Sequence, residues 1–446
     1  MYYKLNQYTM KEYVFYLILS LLFVSVQAQE VSFTEYDLDN GLHVILHQDN
    51  AAPVVTTSVL YHVGAKDELK DRTGFAHFFE HLLFEGTKNI GRGEWFSIVS
   101  SNGGENNAFT SNDYTYYYEV FPSNSLELGL WLESERMLHP IINQDGIDTQ
   151  NRVIKEEKKV SEESPYGKVL DQVQENLFIN HPYRRTVIGE SDHLDEASLD
   201  EFLAFNKKYY VPNNAVLVVA GDLQVDAVKK MITDYFGAIP KGADIIRLTE
   251  KEDLITEAIK AKAYDAYIQV PMIITAYRTP SIKNRDSKVL DMISTYLSDG
   301  KSSKLYRKIV DEKKMALEIG AINLSLEDYS MYIIYGYPIG ETSLESITSE
   351  FDEEIIKIQE NLISEKDYQK LQNKFESNFV DSNSSVEGIA NSLAEYYTFY
   401  RDTNLINSEI EIYRSISRKE IQAVAKKYLN PNQRLVLDYL PEPSKQ

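Results

Sequence analysis

The sequence predicts two homologous domains, each mixing helices with strands. Three observations carry that expectation. The chain has 446 residues, more than a single hydrophobic core usually serves. The segment Ser198–Asn213 returns as Ser417–Asn432 at a constant offset of 219 residues, sharing the Glu201/Glu420, Lys207-Lys208/Lys426-Lys427 and Pro212/Pro431 positions. Apolar runs follow both copies, Ala215 to Ala220 and Leu435 to Leu440, so each reads as helix, proline turn and strand. One repeat of half-chain length means duplicated domains, because solenoid periods are shorter.

The N-terminus reads as an export signal over residues 1–28. Lys11 precedes an apolar run from Tyr13 to Val26, and Val26 and Ala28 suit a signal peptidase. The run is short for a membrane span. Met10 offers a second start with a more usual short basic region. The chain has no cysteine, which excludes disulfides, thiol catalysis and lipid anchoring through Cys. A periplasmic or secreted protein is expected, with no stable membrane span once the signal is removed.

Next comes the most informative stretch, Gly74 to Phe84, which contains His77, Glu80 and His81 as H-x-x-E-H. It reads as helix. His77 and His81 at i and i+4 leave the same face one turn apart, which suits two corners of a tetrahedral zinc site. Glu80 lies beside them, placed to act as base toward a water. The order His, Glu, His defines the inverted motif class. Residues Asn106 to Ser111 and Thr115 to Val120 then read as two strands of a first sheet.

A zinc hydrolase needs a third ligand, and the helix beginning near Asp148 offers one. Val153, Glu157 and Val160 fall on one stripe, which predicts an inward Glu157 among valines and an outward Glu156. An inward carboxylate in apolar company calls for a partner or a metal. Glu157 follows His81 by 76 residues. The polar stretch from Lys241 to Glu257 is the expected linker, separating a metal-binding domain at 29–240 from a second domain at 258–446. Under the repeat offset His77 and His81 map to Tyr296 and Gly300, and the last histidine of the chain is His193. Only the first half carries the metal motif.

These residues resemble the pitrilysin/insulinase family of zinc metallopeptidases, which includes the mitochondrial processing peptidase. The resemblance rests on H-x-x-E-H, on Arg152-Val153 with Glu156-Glu157, and on Gly103 to Thr110. It extends through His181-Pro182-Tyr183 with Gly189, Tyr209 to Asn213 and Gly221-Asp222, covering nearly everything after residue 30. It implies an α+β fold whose two halves are each a mixed sheet faced by helices. It implies one zinc per chain on His77, His81 and Glu157, with Glu80 as general base of an endopeptidase. It also places Asn107, Ala108, Phe109 and Thr110 at a sheet edge where a peptide adds as another strand, with Phe109 either lining a side-chain pocket or serving as ordinary core.

Two departures from the family stand out. Gln150 occupies a position where relatives often carry Glu, seven residues before the ligand Glu; it is expected as a neutral group behind the metal ligands. Val310 and Leu317 stand where many relatives carry an Arg and a Tyr that reach the active site, and Arg307 sits almost a turn too early to substitute. In bacterial two-subunit relatives one chain carries the zinc motif and the other the Arg/Tyr pair, so this chain resembles the zinc-bearing subunit. A heterodimer is therefore expected, with a homodimer as alternative. A non-catalytic binding or scaffolding subunit is the rival reading. The net charge of −22 argues against nucleic acid as a partner.

Overall fold

The computed structural model describes residues 30–247 and 250–443; the expected export signal lies outside them. The first half builds a six-stranded sheet from β1 (Thr34–Asp37), β2 (His43–Gln48), β3 (Val54–Tyr61), β4 (Glu105–Thr110), β5 (Thr115–Pro122) and β6 (Ala215–Gly221). Its order is β1-β2-β6-β3-β5-β4. The second half builds a five-stranded sheet from β7 (Ile259–Asp265), β8 (Met272–Pro280), β9 (Ala316–Leu324), β10 (Tyr329–Pro338) and β11 (Leu435–Pro441), ordered β7-β11-β8-β10-β9. Setting β1 aside, the two orders are the same strand for strand. In each sheet the chain's later strand pairs in parallel with an early one, β2 with β6 and β7 with β11, and the remaining pairs are antiparallel. The fold is α+β with two mixed sheets, and the 219-residue repeat is the trace of this duplication.

Burial follows position in the sheet. All seven residues of β6 are buried, as a Val/Leu/Ala run between two strands and two covered faces should be. At the edge, β4 alternates between exposed and half-buried residues. Its partner β5 returns through a tight connection at Ser111–Tyr114, whose main chain closes with Ser111 N–H donating to Tyr114 O at 2.8 Å.

The halves exchange helices. The first-half helix Val169–Leu177 packs on β7, β8 and β11, with Val173, Leu177, Phe178 and Tyr183 in one cluster with Ile274, Met331 and Leu437. The second-half helix Val386–Glu395 lies on β2, β3 and β6, burying Ile389, Ala390, Leu393 and Ala394. The repeat offset carries Val169 to Gly388, so each half lends the same element to the other. The β9–β10 turn also enters the first half. Lys66 Nζ meets Glu327 at 2.6 Å, Asp113 at 3.0 Å and Asp328 at 3.3 Å, and His62 Nε2 meets Glu327 at 2.7 Å. Residues from Phe33 onward accordingly gather into one compact unit.

The expected linker is extended but anchored. Arg247 binds Asp67 and reaches Asn214 Oδ1 at 3.0 Å. Glu252 accepts the backbone N–H groups of Ile179, Asn180 and His181 at 2.7 to 2.8 Å. On either side of these anchors Ile246 and Leu254 stand exposed.

Candidate metal centre

The motif stretch forms the helix Phe75–Leu82. Its apolar face, Phe75, Phe78, Phe79 and Leu82, is buried, and Phe75, Phe78 and Phe79 pack on Phe202 with ring centroids 4.6 to 6.1 Å apart. That leaves His77, Glu80 and His81 on the opposite side, at i, i+3 and i+4. Both ends of this short helix are pinned by the fold. At its start Gly74 has φ 87°, and the Glu68 carboxylate accepts from the N–H of Gly74 and of Ala76, each at 2.8 Å. A carboxylate there satisfies unpaired amides and meets the positive end of the helix. Burial pushes Glu68 up to about 8, although both amides pull it the other way. Along the helix, Tyr117 Oη donates to Phe79 O at 2.8 Å and Tyr210 Oη to Ala76 O at 3.3 Å.

At the far end Arg136, 1% exposed, donates to Leu83 O at 3.3 Å. Its guanidinium lies 4.1 to 4.4 Å from the ring centroids of Phe84, Trp95 and Tyr117. Glu119 and Glu133 balance it at 3.0 and 3.1 Å. A cation near the last carbonyls complements the helix dipole.

The second element is the helix Gln144–Glu163, capped by Asn143, whose side chain accepts from Gly146 N–H at 2.9 Å. Its contact face differs from the expected stripe. Ile147 and Ile154 are buried, whereas Val153 and Val160 are 45% and 57% exposed and Glu157 is itself exposed. Gly146 permits the approach, since a Cβ there would stand 3.3 Å from Leu82 Cδ1. The helix seats on Gly146, Ile147 and Ile154, and Glu157, one turn beyond Ile154, flanks that contact. It faces imidazoles across an open cleft rather than apolar neighbours.

His77 Nε2 lies 3.6 Å from Glu157 Oε1, and His81 Nε2 lies 3.3 Å from Glu157 Oε2. One ligand atom from each of the three residues falls within 4.8 Å of the others, the one such group among the described residues. Burial, then the neighbouring His81, pulls His77 down to about 4, so it is a neutral donor at ordinary pH. Two imidazoles and one carboxylate fit zinc. Glu80 stays off the cluster. Its Oε2 accepts from Thr110 Oγ1 at 2.7 Å, and burial raises its pKa against that hydrogen bond.

Of the other expected site residues, the β4 segment divides between the two faces of its strand. Thr110 and Ala108 turn toward the motif helix. Asn107 and Phe109 turn the other way, with Phe109 half-exposed and 5.4 to 5.5 Å from the Tyr114 and Tyr116 rings. Gln150 Nε2 donates to Glu85, a residue three positions beyond the motif helix. Val310 packs against the second core, Leu317 is exposed on β9, and Arg307 faces Glu312 at 3.7 Å. Glu68, Tyr117, Tyr210 and Arg136 were not singled out by sequence. Arg136 had a signal, because a Glu-Ser-Glu-Arg string inside an otherwise apolar helix must be paired when buried. Glu68 had none, since no spacing rule ties it to Gly74.

Two imidazoles and a carboxylate with a second carboxylate alongside form the donor set of a mononuclear metallohydrolase. Residues 43–191 match the family model described as insulinase (peptidase family M16), and residues 196–375 match the model described as peptidase M16 inactive domain. The chain belongs to this M16 peptidase family. The zinc protease PqqE of Helicobacter pylori is 29% identical over 364 residues, covering 80% of this chain and 82% of that protein. A Bacillus subtilis protein described as an uncharacterized zinc protease, YmxG, is 24% identical over 332 residues, covering 74% and 80%. The crystal structure of a protease from Helicobacter pylori superposes with a TM-score of 0.87 at 26% identity, over 92% of this chain and 99% of that one. The periplasmic protease PqqL of Escherichia coli shares the fold, with a TM-score of 0.76 at 17% identity over 93% of this chain and 48% of that one. Among the described residues no helix is long and apolar enough to cross a membrane.

Proposed function

We propose that this chain is a zinc-dependent endopeptidase of the cell exterior or periplasm, acting on peptides or unfolded segments. The observation that carries the reading is the convergence of His77, His81 and Glu157, drawn from two helices, with Glu80 beside them but outside the ligand set. Zinc, held by His77, His81 and Glu157, would supply a Lewis acid for a scissile carbonyl and would acidify a water. Glu80 accepts the proton of the attacking water and returns it to the leaving amine. Thr110 holds the Glu80 carboxylate in place through the 2.7 Å hydrogen bond. The free edge of β4 receives the substrate main chain as an added strand, with Asn107, Ala108, Phe109 and Thr110 alternating beneath it; such pairing asks little of the substrate's sequence. Gln150 steadies Glu85 just beyond the motif helix.

The test separates ligand from base. His77→Ala and Glu157→Ala should lose zinc, whereas Glu80→Gln should keep one zinc per chain and lose nearly all turnover. Near-normal cleavage of a quenched peptide by Glu80→Gln would overturn the assignment.

The second reading, a subunit that binds or scaffolds without catalysing, draws on Val310 and Leu317. Neither can donate a hydrogen bond to the substrate. The same observation makes the enzyme reading a heterodimer, in which a related chain contributes the Arg/Tyr pair.

A further inference from the structure

A second cavity-scale feature lies away from the metal cluster, none of whose residues lines it. It has a volume of about 650 Å³, within the usual range for small-molecule sites, about 300–1,000 Å³. Its walls are the loop leading into the motif helix, the loop after helix Val169–Leu177, the linker residues Ile246, Arg247 and Glu250, and the β9–β10 turn.

The charges in its wall are unequally committed. Asp67 is bound by Arg247. The Glu68 carboxylate is taken by two backbone amides. Glu327 is met by His62, Lys66 and Lys283, and Asp328 by Lys66 and His181. Among the lining acids Glu68 and Glu250 have no basic partner within ion-pair distance among the described residues, and Glu68 is spent on the two amides. The cations are different. Among the described residues Lys70 and Arg185 have no carboxylate within that distance, and Arg184 has a single 3.7 Å contact with a half-exposed Glu175. The Arg185 guanidinium spends one N–H on Glu68 O at 2.9 Å and keeps the rest of its planar donor set. With six Lys and Arg against five Asp and Glu in the lining, and three of the cations under-used, the cavity keeps a local positive surplus on a chain whose net charge is −22. A cleft lined with a surplus of one sign focuses the field and concentrates ions of the other sign even on a protein of opposing net charge.

We propose that this cavity binds a small anion through its phosphate or carboxylate groups, held by Lys70, Arg184 and Arg185, with room for an organic body behind the anionic head. The inference is independent of the zinc reading.

Isothermal titration calorimetry of the full chain with inorganic phosphate, and separately with succinate, tests it, with sodium chloride at matched ionic strength as control. At least one anion should give saturable one-to-one heat. Phosphate alone identifies a phosphate ligand, succinate alone a carboxylate ligand, and both a site that reads charge only. Lys70→Ala and Arg184→Ala lie on the rim and should keep the native urea midpoint. Each should weaken binding about tenfold or more, as expected for loss of a charged hydrogen bond. Arg185→Gln should do the same. The proposal is overturned if neither anion saturates, if chloride reproduces the heat, or if the Lys70 and Arg184 variants bind like the native chain.

Discussion

Gly189→Ala isolates what holds the motif helix in register. Gly189 has φ +72°, and a Cβ built there would stand 2.3 Å from Gly74 N, 2.4 Å from Gly74 Cα and 2.5 Å from Thr73 C. Gly74 is equally confined, because its own Cβ would meet Ile188 O at 2.6 Å. The two glycines pass back to back at the first turn of the helix that carries His77. Ordinary contact begins at 3.4 Å, so backbone must give by about 1 Å, and no flexible side chain can absorb it. The left-handed conformation alone costs an L-residue about 1–2 kcal/mol, and forced overpacking adds about 1–3 kcal/mol. The expected loss is therefore about 2–5 kcal/mol. Gly93→Ala is the control: φ is +76° with nothing within 4 Å, so only the conformational part applies. Urea unfolding of both variants should separate them by about 1–3 kcal/mol. A shift of about 1 Å three residues before His77 exceeds the ~0.2 Å tolerance of metal–ligand distances, so zinc affinity should also fall at least tenfold in Gly189→Ala and hold in Gly93→Ala. Equal stability and equal zinc affinity in the two variants would refute the idea that the glycine crossing positions the site.

Acid should loosen the junction at the β9–β10 turn. Burial pushes Glu327 upward, but the His62 hydrogen bond and the Lys66 charge pull it well below the carboxylate range. A depressed folded pKa contributes stability above the unfolded value near 4.5 that is lost as pH falls below it. Urea midpoints should drop below about pH 4.5, and less so in Glu327→Gln, where that titration is gone. Trypsin should cut first between Lys241 and Glu257, at residues such as Lys251, because that stretch has few buried contacts; first cuts within Gln144–Glu163 would contradict the assigned boundary. The purified chain alone should be a feeble peptidase, and a related subunit bearing the Arg/Tyr pair should raise turnover by about 10²–10³, the usual worth of one oxyanion donor. Full activity of a demonstrably single-chain preparation would refute the heterodimer while leaving the zinc chemistry untouched.

What the sequence made legible was periodic. His77, Glu80 and His81 share a helical stripe that local spacing reveals, and Asn106 to Ser111 read as a strand, whereas its place at a sheet edge was implied by the family resemblance. The repeat at Ser198 and Ser417 foretold two sheets of one topology. Periodicity misled at Val153 and Val160, because a helix lying beside an open cleft need not bury every apolar position; Gly146 and the two isoleucines decided its seat. Strand spacing implies that Asn107 to Thr110 divide over two faces, but it could not foresee that Thr110 is the one that reaches Glu80. Long-range supports were invisible for a different reason. Glu68 meets Gly74, and Arg136 meets Leu83, through loop closures that no local pattern encodes. The exchange of helices between halves is likewise a matter of which sheet lies nearer, not of composition.

That exchange makes the duplicated halves indivisible. Helix Val169–Leu177 leaves its apolar side uncovered without β7, β8 and β11, and β2, β3 and β6 lose their cover without Val386–Glu395. A truncation ending at the linker would therefore present two raw hydrophobic surfaces to solvent, one on a helix and one on a sheet. The half that carries His77, His81 and Glu157 is thus built to fold only together with its counterpart. Its counterpart carries no histidine yet serves as an obligate lining, and any descendant that discarded it would have to replace both a borrowed helix and the sheet that covers Val169–Leu177.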